Sequence, residues 1–146
     1  MAPKYCPSGK IDIFVRIEEN IKTKQLVWYY NNLSSDNFRL GVQINVGHII
    51  FRFDENTAKR FVFLDPTITF KKGARVYQDL TEYEPIVGKD YVIILDTQKN
   101  GGYAEVGSIT LYAQEIGLGG EMIGEPLSSD PEIINTGYET CTAPNK

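Results

Sequence analysis

The chain has one histidine, one tryptophan, two cysteines and two methionines in 146 residues. These shortages exclude much chemistry. A Ser-His-Asp triad could use only His48 as its base, and no Gly-x-Ser-x-Gly elbow accompanies it. One histidine and two distant cysteines cannot supply four soft zinc ligands. The acidic turns Asp54-Glu55-Asn56 and Asp36-Asn37 lack the spacing of a helical calcium loop. Gly117-Leu118-Gly119-Gly120 lacks the Lys-Ser/Thr of a phosphate loop. Neither metal nor cofactor is expected, and the chain reads as a non-enzyme. Carboxylates such as Glu82, Glu84 and Asp90 are plentiful, but their spacing does not set a pair across a cleft.

Long apolar runs are also missing. None exceeds five residues (Tyr91–Leu95), whereas a membrane helix needs ~20. No membrane insertion is expected. Met1-Ala2-Pro3 carries no apolar leader, so secretion would need a leader replaced there or another route. The net charge of −4 argues against binding dominated by phosphate contacts, so no nucleic-acid partner is expected. The charge is uneven. Residues 1–73 hold 11 Lys/Arg against 7 Asp/Glu, and residues 74–146 hold 4 against 12. Such a split can orient a partner or a second copy, although solvated faces of one domain give it too.

What the chain does have is short runs of Val, Ile, Tyr, Phe and Thr between Gly, Asn, Asp and Pro clusters. In Lys10–Glu18, Ile11, Ile13, Val15 and Ile17 share one face, and Asp12, Phe14, Arg16 and Glu18 the other, as in a half-buried strand. Further strands are expected at Gln25–Tyr30, Phe38–Ile44, His48–Phe53, Phe61–Leu64 and Thr67–Phe70, then at Ala74–Leu80, Asp90–Thr97 and Gly107–Gln114. Turns are expected at Asn31–Asn37, Asn45-Val46-Gly47, Asp54–Thr57 and Lys99-Asn100-Gly101-Gly102. About eight short strands without helices imply an all-β fold, an antiparallel β-sandwich of Ig-like or jelly-roll type, with a barrel as the alternative. From Ile116 onward glycine and proline dominate, which predicts a domain over 1–115 and an irregular C-terminal extension over 116–146.

Cys6 and Cys141 lie near opposite ends. A disulfide between them would close nearly the whole chain and stabilise it by roughly 4–5 kcal/mol in the entropic model. It would also imply an oxidising compartment. Two unrelated thiols are the alternative. The Asn32-Leu33-Ser34 triplet is an acceptor for N-glycosylation at Asn32 and fits the same secreted or extracellular setting.

The unusual abundance is aromatic: 9 Tyr and 7 Phe beside the single Trp. Sugar C–H faces stack on such rings, and tyrosine adds a polar tip for a wet site. Trp28, Tyr29 and Tyr30 form a triplet whose members must alternate between strand faces, and Tyr77, Tyr83 and Tyr103 adjoin polar loops. These six are the expected ligand-binding residues, with a polysaccharide or glycan as the leading ligand. Core packing of Trp28 is the structural alternative. The other functional reading is a coat, fibre or matrix subunit that self-associates through edge strands and the C-terminal tail into a homo-oligomer. The rhythm of Phe61-Val62-Phe63, Lys72-Gly73 and Val76-Tyr77 resembles insect glucan-recognition domains; that family's further tryptophans are missing.

Overall fold

A computed structural model describes residues 9–34, 38–42, 46–70, 84–96 and 105–135. Cys6, Cys141, Tyr77, Tyr83, Tyr103, the strand expected at Ala74–Leu80 and the turn expected at Lys99–Gly102 lie outside them. The described residues are mostly β, with two mixed six-stranded sheets and one short helix among them.

The first sheet begins with β1 (Gly9–Glu19), paired with β2 (Leu26–Tyr30) through a hairpin. Its turn is built by Asn20, whose Oδ1 accepts from the backbone N–H groups of Lys22 and Thr23 at 2.9 and 3.1 Å. Asn31 and Asn32 both have positive φ, 49° and 71°, and join β2 to β3 (Leu33–Ser34) in a two-residue turn. That is the primed turn geometry, which asparagine tolerates. The expected loop at 31–37 therefore opens with a hairpin.

The chain then adds β4 (Arg39–Val42) to the second sheet and returns as β5 (Val46–Phe53), parallel to β1. Val46 and Gly47, expected in a turn, belong to β5, where the pairing with β1 shifts by one residue at Gly9/Lys10. A one-turn helix α1 (Glu55–Ala58) replaces the expected turn at Asp54–Thr57, with Asp54 as its N-cap. Next come β6 (Phe61–Phe63), β7 (Thr67–Phe70), β8 (Ile86–Val87), β9 (Tyr91–Leu95) and the long β10 (Glu105–Ile116). The first sheet runs β3-β2-β1-β5-β9-β8.

Over residues 116–135 the expected irregular extension is corrected, and residues 136–146 lie outside the described ones. Met122–Ser129 forms β11 and Glu132–Asn135 forms β12, both antiparallel to β10. A boundary at residue 115 would cut β10 one residue before its end. Glycine and proline here mark bulges within paired strands rather than a tail. Gly124, Glu125 and Pro126 stand opposite Gln114 alone, because Ala113 pairs Leu127 and Glu115 pairs Ile123. The buried Gln114 amide fills that bulge and donates to the Ile123 and Gly124 carbonyls at 2.9 and 3.1 Å. On the other flank, β6 and β7 continue one another along β10, with one extra residue in the Leu64–Pro66 stretch.

The sheets are mixed rather than purely antiparallel, since β1–β5 and β4–β12 are parallel. Side-chain alternation reports which face is buried and carries no information on strand direction. Parallel neighbours need a crossover, which the excursion through β4 supplies.

One core lies between the sheets. Ile13, Val15 and Phe51 of the first sheet and Phe61, Ile109 and Leu111 of the second are all buried in it. Side chains of two described pairs tie the sheets directly. Phe53 and Phe63 stack with centroids 3.8 Å apart and planes 4° from parallel. The Tyr30 hydroxyl donates to Ser129 Oγ at 2.7 Å. Removing the stack by Phe63→Ala should cost about 3–5 kcal/mol, read as a lower urea midpoint.

Burial, opposed by the hydrogen bond to Ser129 and aided by the nearby Asp130 charge, pushes the Tyr30 phenol above its ordinary range. The folded state thus keeps a proton that the unfolded chain releases near pH 10. Stability should be intact below about pH 10 and fall above it. Tyr30→Phe should start about 1 kcal/mol weaker at neutral pH and lose less between pH 9 and 11, measured by denaturant titration at each pH.

Candidate functional site

β1 outlasts its neighbour. β5 pairs it only as far as Val15–Phe53, after which Asp54 turns the chain into α1. Arg16–Glu19 are then flanked by β2 on one side and by a helical turn on the other. The Ile17 N–H, without a ladder partner on that side, donates to the buried Thr57 Oγ1 at 3.3 Å. Asp54 fixes α1 by accepting from Thr57 N–H at 2.9 Å. The gap left where a strand would run is a cleft of about 210 Å³, lined by Arg16, Glu18, Glu19, Asp54, Asn56 and Arg60 among others.

A second cleft of about 320 Å³ lies on the other side of Arg16, lined by Phe14, Asn31, Asn32 and Asp54 with Val15. Arg16 is the partition. Its Nη1 donates to Asn32 Oδ1 at 2.8 Å, and its Nε lies 2.8 Å from Glu18 Oε2. Its Cζ sits 4.5 Å from the centre of the Tyr29 ring, a cross-strand cation–π contact at the register Arg16↔Tyr29. Asn31 secures the wall by accepting from Phe14 N–H at 2.8 Å. Across the first cleft, Arg60 pairs with Glu115 at 2.9 Å and lies over Phe61.

The clefts thus offer fixed planar donors, carboxylate and amide acceptors, and the Phe14 ring, 54 % exposed. This combination suits a polyhydroxylated ligand, which needs several in-plane hydrogen bonds and one apolar face. A third cleft, at Asp65, Pro66, Glu84, Pro85 and Val87, has no aromatic among its described lining residues.

Of the expected ligand-binding residues, Tyr29 lines neither cleft; it lies half-buried under Arg16, which borders both. Trp28 and Tyr30 face the other way, into the core, and support the platform from beneath. Asn32, first residue of the Asn32-Leu33-Ser34 triplet, lines the second cleft with its side chain engaged by Arg16. His48 lies on the outer face of the first sheet, in the row Lys10–His48–Leu95, away from both clefts. No cluster of three or more metal-ligating side chains occurs among the described residues.

Sequence reasoning missed Arg16, Phe14, Asn31, Asp54, Asn56 and Arg60 as site residues. The alternation of β1 already set Phe14 and Arg16 on the solvent face. No periodicity signals that Asp54–Arg60 folds beside them. Comparison with known proteins adds no relative: no protein-family model matches the chain, and no curated protein matches it in sequence.

Thr57→Val keeps the volume but removes the acceptor of the Ile17 N–H. It should cost about 1–3 kcal/mol in urea unfolding, while Thr57→Ser should recover most of that loss.

Proposed function

We propose that this protein is a secreted or extracellular, non-catalytic binding module that takes a polysaccharide or other glycan in the clefts beside Arg16. One observation carries the reading. Arg16 is held by Glu18 and Asn32 over the Tyr29 ring, next to the exposed Phe14, between two open clefts. An immobilised guanidinium and an exposed ring cost little ordering entropy when a ligand arrives. The scaffold fits a β-sandwich, since two sheets share one core. Its parallel pairs depart from the antiparallel Ig-like or jelly-roll pairing expected from the strand spacing. A Cys6–Cys141 disulfide belongs to the same reading.

An N-glycan on Asn32 would stand in the cleft wall. Glycan occupancy there and ligand binding compete for the same space, so the unglycosylated form is the binding form.

The test is retention on a panel of insoluble polysaccharides. Wild-type protein should be retained by at least one of them. Phe14→Ala should weaken retention by about tenfold, the loss of roughly 1.4 kcal/mol of stacking, with unchanged thermal unfolding, and Tyr29→Ala should weaken it by releasing Arg16 from its place over the ring. Retention by none of the panel, or retention indifferent to both substitutions, removes the reading.

A further inference from the structure

The described residues expose seven large apolar side chains, and four of them crown two hairpins: Ile21 on β1–β2, and Leu118, Met122 and Ile123 on β10–β11. Leu118 is fully exposed and Ile21 is 83 % exposed. Both hairpin tips project from one end of the molecule. The Ile17 N–H bonds Thr57 Oγ1, the Arg60 N–H bonds the Thr57 carbonyl, and the Ile116 N–H bonds the Arg60 carbonyl. This relay ties the last turn-ward residues of β1 to those of β10 across α1.

The tips carry opposite charge. In the turn with Ile21 stand the exposed Lys22 and Lys24, with the exposed Glu19 at the last rung of β1. Between Leu118 and Met122 stands the exposed Glu121, and the exposed Glu125 follows in the bulge opposite Gln114. Clustered exposed apolar side chains rimmed by charge, as Leu118, Met122 and Ile123 are, mark surfaces meant for a partner. A basic apolar knob and an acidic apolar knob on the same end make that end self-complementary.

We propose that the chain forms a two-fold dimer with a second copy of itself through this end. The Ile21–Lys24 tip of each copy packs on the Leu118–Glu125 tip of the other. The same contact is made twice, so the assembly closes at two chains rather than growing into a filament. The edge strand itself is a poor route to assembly, because the bulge at Gly124–Pro126 breaks its regular hydrogen-bonding row. The proposal does not depend on glycan binding in the clefts.

The experiment is sedimentation equilibrium of the full chain over a wide concentration range. Mass should rise from one chain to two and stop, and added salt should weaken the association. Lys22→Glu with Lys24→Glu, and separately Glu121→Lys with Glu125→Lys, should each raise the dimer Kd by about tenfold or more. Mixing those two variants should restore a dimer, since every tip then meets its opposite. Circular dichroism and melting temperature should stay unchanged, because all four residues are solvent-exposed. A chain that stays monomeric throughout, mass growing beyond two, or a mixture no tighter than either variant alone would overturn the proposal.

Discussion

The structure turns on the point where β5 parts from β1. For seven rungs, Gly9–Val15, the two run parallel. After Phe53 the chain must cross to the other sheet, and α1 is the crossing. Two contacts fix its ends. The Phe53–Phe63 stack clamps the last residue before it to the strand after it, and Thr57 supplies the acceptor that β1 lost. A parallel neighbour that ends early leaves a backbone donor exposed, and an unpaired donor in the interior costs about 1–3 kcal/mol. A single hydroxyl meets that need while leaving lateral space for a cleft.

The remaining features follow from this crossing. Because Asp54 replaces a strand beside Arg16, the guanidinium has open space on its α1 side and the Tyr29 ring beneath it. Because Arg60 emerges next to Ile116, β10 ends beside β1, and both hairpins leave from the same end. The charge split along the sequence then acquires a spatial form. The basic half contributes one tip and the acidic half the other, where a one-dimensional count gave only two unequal halves.

The second sheet shows how bulges let one strand act as a spine. β10 is flanked on one side by β6 and β7, and on the other by β11 and β12, each pair continuing the other. Pro66, Gly124 and Pro126 sit at the interruptions. Proline cannot donate to a ladder, and glycine reaches φ of 69° at Gly124 without strain. Gln114 then answers the loosened carbonyls with its side-chain amide.

The sequence by itself determined the buried faces of β1, β2 and β4. The alternation in Ile11–Ile17, the Leu26–Trp28–Tyr30 face and the Phe38–Val42 face all recur in the core or packed against it, because period-two patterning is a direct record of which side meets apolar neighbours. It also placed Tyr29 opposite in sense to Trp28 and Tyr30. What only the tertiary structure decided was direction, continuity and company. Parallel pairing of β1 with β5 arises from a crossover that no local pattern encodes. The Gly/Pro-rich stretch after Ile116 becomes two strands because β10 offers it a free edge, and pairing outweighs poor strand propensity. The cleft around Arg16 joins β1, the Asn31-Asn32 turn and α1, segments up to about 44 positions apart along the chain. Their meeting is fixed by the packing of the two sheets, and only then do a half-exposed ring and an arginine become a site.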